Sequence, residues 1–391
     1  VPQLCGQSFQ GETQKMINDA SLTLIFVALV CLLLWRHRRK IEFQGAFPLL
    51  YVVLMRTGIG LKSMSRIANR FPRLFNGVYT AGIGIGFAGM ALILVELVRV
   101  TIKLFQGGTS GVVPVLPIEA KGVFYVPFLY WIISIFVIAL VHELSHGVAA
   151  RTFKVPVRSS GIAFLCAVLP IIPAAFVEPD EEYLQKQGMK KQLGIFAAGA
   201  LANIVFGFLF LGFALLTAWA VQDIVHAQGV SVTSVVDNSP ASTAGLPEGM
   251  RITEVNGQEI TDTRDLMEVL EASKPNQEWQ LTTNETAYPF VLGAREDDAN
   301  KAYMGLNLQD SVMITPRNVI DHAAIWLLGL FRWLFALNIG IALFNLLPIG
   351  PLDGGRMLKL VLDRWQKPKV WRFVSTAAFL LVIGNIAAGF I

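Results

Sequence analysis

The chain has 391 residues, of which 54% are hydrophobic and only 15% charged, against about a quarter charged in ordinary soluble domains. That composition excludes a soluble globular protein and makes this a membrane protein. The formal net charge of +4 gives no reason to expect nucleic acid as a partner, but its sign is strongly segregated along the chain, and the segregation carries topology.

A helix needs about 20 mainly apolar residues to cross the bilayer core. Six such windows are predicted, from Ala20 to Trp35, Val78 to Phe105, Phe124 to Ala150, Leu193 to Val221, Ala323 to Leu347 and Trp371 to Ile391. The first is followed by its basic cluster, RHRRK, which is the reverse of a secretory signal and reads as a retained anchor. After it, AFPLLYVVLMRTGIGLKSM is interrupted by Arg56 and Lys62, which predicts an interfacial or partly re-entrant helix. The Gly-rich second window, AGIGIGFAG, marks a place for close helix packing or movement. Cys5, Cys31 and Cys166 are scattered and odd in number, so they form neither a disulfide framework nor a Cys-rich metal site.

Between Arg36 and Arg73 nine Lys or Arg face the single acid Glu42, and between Arg356 and Arg372 six face Asp363 alone. Both stretches belong on the cytoplasmic side. Residues 222–320 carry fifteen acids against six bases and suit the opposite side. Six spans threaded between these anchors put the N-terminus outside, make the third span descend, and leave its C-terminal half near the cytoplasm.

That third span ends in HELSH. On a helix His142 and His146 lie four residues apart on one face, the spacing that lets two imidazoles share one Zn²⁺, and Glu143 stands beside the first ligand as general base. Buried structural histidines are the bland alternative, but a carboxylate with two neutral imidazoles in lipid lacks a cation, and one zinc ion supplies it. A catalytic zinc takes three protein ligands and keeps one position open. Glu96 is set aside because Arg99 is its neighbour at helical spacing, and Asp321 and His322 because they lie at the outer mouth of the fifth span. In NLLPIGPLDGGRML the prolines and glycines preclude a continuous helix, and broken backbone at membrane depth survives only inside protein or beside a wet cavity. Asp353 sits in that break at the depth of His142, as third ligand or, more simply, as a cap for the next helix.

The apolar stretch RSSGIAFLCAVLPIIPAAFVEP contains Gly161, Pro170, Pro173 and Pro179, a poor straight span that reads either as a re-entrant hairpin or as a loop dipping into the interface. Asn203 and Asn345 are uncharged donors in apolar surroundings. Each is a candidate for binding substrate backbone or the developing oxyanion, and each is equally suited to interhelical hydrogen bonding. Within residues 222–320, SPASTAGLPEGMRITEVNGQEI predicts a short helix, a strand and a tight turn, followed by a helix from Thr263 to Ala272. This β-rich insert resembles a PDZ domain, although Met250 stands where that family often has Asp; a generic β-rich loop domain is the alternative. Asn284 opens an N-x-T sequon in it.

HELSH, PLDGG, the PDZ-like insert and GALAN (Gly199 to Asn203) together resemble the site-2 protease family of intramembrane zinc metalloproteases, over most of the chain from Phe124 onward. The resemblance implies His142, His146 and Asp353 as ligands of one Zn²⁺, Glu143 as base, and a membrane-embedded β-like loop at residues 158–179. It further implies substrates that are transmembrane proteins already shortened by another protease, cut within or near their spans.

The expected fold is an all-α polytopic membrane protein of about six transmembrane helices with a re-entrant β-like loop, plus an extracytoplasmic β-rich PDZ-like domain. Its boundaries are residues 1–122 for the N-terminal transmembrane region, 123–221 for the first half of the core, 222–320 for the insert, and 321–391 for the second half. The active site faces the cytoplasmic side. Two rivals stand beside this reading: a PDZ-bearing membrane adaptor or chaperone with a structural zinc, and a different metalloprotease sharing the His-Glu-x-x-His helix.

Overall fold

The computed structural model describes residues 19–38, 41–46, 50–167, 169–283, 286–295 and 298–390; Cys5 and the Asn284 sequon lie outside them. The chain divides into two compact units, one built from Met16–Leu215 and Leu328–Ile391, the other from Leu216–Leu327.

In the first unit α1 (Asp19–Arg36) leads to a hairpin of β1 (Ile41–Ala46) and β2 (Leu50–Arg56), then α2 (Leu61–Arg70) and α3 (Pro72–Phe105). A two-residue parallel bridge, β3 (Val115–Leu116) with β4 (Phe124–Tyr125), precedes α4 (Phe128–Thr152). A second hairpin, β5 (Val157–Ala167) and β6 (Leu169–Pro179), runs into α5 (Glu181–Gln185) and α6 (Met189–Ala220).

Two expectations need correction here. Leu50–Arg56 is a strand, not an interfacial helix: LYVVLM is dense in β-branched and aromatic residues, and β2 pairs with β1 on one side and β5 on the other. Gly161 permits the β5 pairing, since a Cβ there would lie 2.1 Å from the Met55 carbonyl oxygen. The third span begins at Phe128, four residues later than its apolar run, because Pro127 is held extended (φ −53°, ψ 138°) as the helix N-cap.

The resulting sheet has the order β1-β2-β5-β6, so β6 is an edge strand. Val30 of α1 packs with Tyr51, Val53, Phe164 and Cys166 of the sheet. β5 and β6 thus form a β-hairpin, as half of a four-stranded sheet.

The second unit carries its own core. After a short turn at Gln222–Ile224 come β7 (Val225–Val235), α7 (Pro240–Thr243), β8 (Arg251–Ile252), β9 (Glu254–Val255), β10 (Gln258–Glu259) and α8 (Thr263–Glu271). β11 (Glu278–Thr282), β12 (Ala287–Val291), β13 (Gly293–Ala294), β14 (Ala302–Tyr303) and β15 (Leu306–Ile314) complete it. The strands form sheets β10-β9-β11-β12, β15-β7-β8 and β13-β14 around buried Val230, Ile252, Leu266, Trp279, Leu281 and Phe290. The Val-Asn-Gly turn links β9 to β10 with positive φ at both Asn256 (53°) and Gly257 (79°), the type I′ geometry that suits a two-residue hairpin. Asp262 caps α8, accepting from the Arg264 and Asp265 amides at 2.8 and 3.0 Å.

The chain then returns through α9 (Val319–Asn345), a broken segment, α10 (Asp353–Arg364) and α11 (Pro368–Phe390). Among the described residues α3, α4, α6, α9 and α11 are long and apolar enough to cross a bilayer, and the chain is an integral membrane protein. The apolar part of α1, Ser21–Arg36, is shorter. The Gly-rich helix does pack closely: Cβ atoms on Gly82, Gly86 and Gly89 would lie 2.8, 2.8 and 2.5 Å from Leu201, Met357 and Leu346, whereas Gly84, off that face, meets nothing. α3 thus packs against both α6 and α10, which carry the candidates Asn203 and Asp353.

Candidate metal centre

α4 positions His142, Glu143 and His146, and small residues on α6 allow close approach. Across that contact Ser145 Oγ donates to the Ala198 carbonyl at 2.9 Å, and His146 Nδ1–H donates to the Ile195 carbonyl at 2.8 Å. With Nδ1 protonated, the His146 Nε2 lone pair is left for an ion. His142 is held from the other side by the Asn203 amide, 3.2 Å from its Nδ1. Asn203 Oδ1 is buried without a partner, so the chemically sensible orientation turns Oδ1 toward a protonated His142 Nδ1 and frees Nε2.

The third group comes from the other half of the unit. Leu346, Leu347 and Ile349 in the broken segment are buried, and Cβ atoms on Gly354 and Gly355 would lie 2.1 Å from the carbonyl oxygens of Leu346 and Ile349. Only glycine lets the first turn of α10 press onto that segment. The N-cap of α10 is Leu352, not Asp353, whose carboxylate is buried and aimed at the histidines.

Asp353 Oδ2 lies 3.2 Å from His142 Nε2 and 3.3 Å from His146 Nε2, and the two Nε2 atoms are 3.2 Å apart. A tetrahedral ion bound by N and O donors at about 2.0–2.1 Å separates them by about 3.3–3.4 Å, so the triangle fits zinc. Among the described residues these three are the group of His, Cys, Asp or Glu that converges this way, which leaves a tetrahedral position without a protein ligand. The fit extends to the space behind them: a Cβ on Gly199 would lie 2.5 Å from both His142 Nε2 and His146 Nε2.

The triad opens on a cavity of about 210 Å³ also lined by Glu143, Val177, Asn345 and Arg356. Glu143 Oε2 accepts from the Val177 amide of β6 at 3.0 Å, which ties the edge strand to the glutamate between the two histidines. Arg356 donates to Glu181 Oε1 at 2.6 Å and stands 4.3 Å over the Phe196 ring. Asn345 Nδ2 donates to the Ile341 carbonyl at 3.0 Å while lining the cavity. Asn203 instead sits behind His142, fully buried. Of the two asparagines, Asn345 borders the space a substrate would enter. Glu96 is paired with Arg99, and Asp321 accepts from Arg317.

Sequence reading missed the parts of Gly199, the Ile195 carbonyl, the Val177 amide and Arg356. GALAN did carry a usable signal, because a glycine and an amide four residues apart share a helix face, as the two histidines do. Backbone partners leave none. If Asn203 orients His142, replacing it with Leu, of similar size, weakens zinc binding by about 10–100-fold. Competition with a chelator of known affinity measures this, and an unchanged constant would remove Asn203 from the site.

Comparison with known proteins adds the rest. The chain is similar to an uncharacterized protein of Methanocaldococcus jannaschii, 28% identical over 377 residues, 94% of this chain and 92% of the relative. It is also similar to the regulator of sigma-W protease RasP of Bacillus subtilis, 22% identical over 301 residues, 63% of this chain and 69% of that one. The PDZ domain of an SdrC-like protein from Listeria monocytogenes matches 21% of the chain and 87% of its own length at 22% identity, with a TM-score of 0.18. Peptidase family M50 matches residues 130–384, a stretch that holds both histidines, the glutamate between them and the Asp353 turn. With a zinc-sized triad drawn from α4 and the start of α10 in a chain of five membrane-capable helices among the described residues, and that match across most of its length, the chain belongs to peptidase family M50, the site-2 protease family of metalloproteases.

Proposed function

We propose that this protein is an intramembrane zinc endopeptidase that hydrolyses peptide bonds within or near the transmembrane segments of other proteins. The observation that carries the reading is the triangle of His142 Nε2, His146 Nε2 and Asp353 Oδ2 at 3.2–3.3 Å, with Glu143 in the same cavity. His142, His146 and Asp353 would hold the zinc, which supplies Lewis-acid polarisation of the scissile carbonyl and lowers the pKa of water toward about 7. Glu143 takes the proton of the attacking water and passes it to the leaving amine. Asn345 and Arg356 are the side-chain donors positioned to meet charge on the carbonyl oxygen. An open position beside three protein ligands favours this over an adaptor with a structural zinc, which would have four.

A helical substrate hides its carbonyls in its own hydrogen bonds, so cleavage needs an extended segment. The edge strand β6 is suited to hold one by strand addition. Strand alternation turns the backbone of Pro173 and Ala175 to the same side as Val177, whose amide reaches Glu143 away from β5. Pro173 costs the edge nothing but a donor, and Ala175 keeps an N–H there. Ala175→Pro removes it, and kcat/KM on a helical substrate is expected to fall about 3- to 10-fold, the worth of one hydrogen bond. A pre-extended short peptide that does not reach Ala175 serves as control. Equal loss on both would disconnect β6 from substrate.

The charge distribution supports a catalytic centre toward the cytoplasmic side and an extracytoplasmic insert; that substrates arrive with their outer portions already trimmed by another protease is what the family resemblance implies. The insert would then act as a PDZ-like filter. The deciding experiment reconstitutes the full chain with a single-span substrate and maps the cut by mass spectrometry, with and without zinc chelation. Chelator-sensitive cleavage inside the span is expected. Cutting confined to soluble tails overturns the proposal.

A further inference from the structure

Past the metal ligands, α4 ends at a second cavity. It has about 240 Å³ and is lined by Ser65, Asn69, Arg151, Lys154, Val155 and Pro156, two cations with no acid among them. Arg151 Nη2 donates to the Val157 carbonyl at 3.3 Å, but its Nε is buried with no partner. A buried guanidinium nitrogen left without an acceptor is costly unless something supplies one. Lys154 follows the helix in the left-handed region, with φ of 63°. The amide of Asn69 adds a neutral donor to the same wall, while the Ser65 hydroxyl there donates to the Leu61 carbonyl at 3.1 Å. Such a set suits a phosphodiester, whose oxygens accept from several donors and which brings one negative charge to the two cations.

The surroundings say which kind of phosphate. α2 packs Met64 toward Gly147 of α4, and Met64 and Ala68 are buried. Lys62, Arg66 and Arg70 follow at i, i+4 and i+8 on one exposed face, with Arg73 just beyond, and none has an ion-pair partner among the described residues. Ile67, Phe71 and Leu74 are 45, 54 and 61% exposed on the same run. Exposed cations beside exposed apolar side chains, at one end of a membrane-crossing helix, describe an anionic lipid surface.

We propose that this cavity binds the phosphate of an acidic phospholipid, held by Arg151 and Lys154 with Asn69, while the basic face of α2 lies on the same leaflet. The site is distinct from the metal centre and does not depend on the protein being a protease. Its occupancy would secure α2 against the helix that carries both histidines.

The full chain is purified in detergent with mixed phosphatidylcholine and phosphatidylglycerol, and retained lipid is counted by native mass spectrometry. Wild type is expected to keep phosphatidylglycerol selectively, with affinity falling about 10-fold or more in Arg151→Gln and in Lys154→Asn. Asn tolerates the left-handed backbone at 154, so the second variant decides if the first fails to fold. Lys103→Gln, an exposed cation at the far end of α3, should change nothing. Equal retention by wild type and Lys154→Asn overturns the site. Displacement of the lipid by excess inorganic phosphate would assign it to a free anion and overturn the lipid.

Discussion

Glu143→Gln is expected to hold a full equivalent of zinc, fold as wild type, and cleave a single-span substrate about 10²–10⁴-fold more slowly. Gln keeps the one contact that the structure assigns to this side chain besides its chemistry. The Val177 amide needs an acceptor at 3.0 Å, and the Gln carbonyl oxygen provides it. What Gln cannot do is accept the proton of the attacking water. The loss corresponds to about 3–5 kcal/mol of transition-state stabilisation and should fall on kcat with little change in KM, because the carboxylate is not needed to hold the substrate strand. Zinc content by elemental analysis and kcat on reconstituted protein measure the two halves separately. Cleavage at the wild-type rate with zinc bound would falsify the assignment of Glu143 as base.

The parts of the site that were legible from sequence are those in which one short segment carries the chemistry. The structure brings His142, His146 and Asp353 together; the helical repeat made the histidines candidates, and a glycine- and proline-broken stretch made Asp353 one, with ligand and helix cap both open. Groups that act through long-range contact were not legible. Nothing in KQLGIFAA says that the Ile195 carbonyl meets His146, and GALAN puts Gly199 and Asn203 on one face without saying that Asn203 meets His142, since those contacts depend on how α6 is pressed onto α4. The same limit explains the hairpin misread as a helix. Leu50–Arg56 is short enough to suit either state, and its partner β5 lies about a hundred residues later, beyond the reach of any local pattern. Conversely, the Val-Asn-Gly turn and the helix at Thr263 were legible because turn and cap chemistry are local.

The role of α3 lies between these cases. AGIGIGFAG announced close packing, but not with what. The faces of Gly82, Gly86 and Gly89 meet Leu201, Met357 and Leu346, so a helix outside residues 130–384 sets the spacing between the histidine-bearing half of the unit and the aspartate-bearing half. Three donor atoms within 3.3 Å, drawn from segments more than two hundred residues apart, require that kind of clamp.

Gly199→Ala should then do more damage than its size suggests. In most helix interiors, exchanging Gly for Ala stabilises by about 0.5–1 kcal/mol, and Gly212 on the same helix, whose Cβ would meet nothing within 4 Å, should behave so. At 199 the new methyl lies 2.5 Å from the Nε2 atoms of both histidines. Neither ring can yield freely, because His146 is fastened to Ile195 and His142 to Asn203. Relief must come from shifting α6 off α4 or from turning a ring away, and overpacking of this kind costs about 1–3 kcal/mol before the metal is counted. The expected result is loss of zinc and of cleavage in Gly199→Ala, with a lowered melting temperature, while Gly212→Ala keeps all three or gains slightly in stability. Elemental analysis and thermal unfolding of the two purified variants give the comparison. The opposite signs matter, since both substitutions make the same local change and only one places an atom where two imidazoles converge.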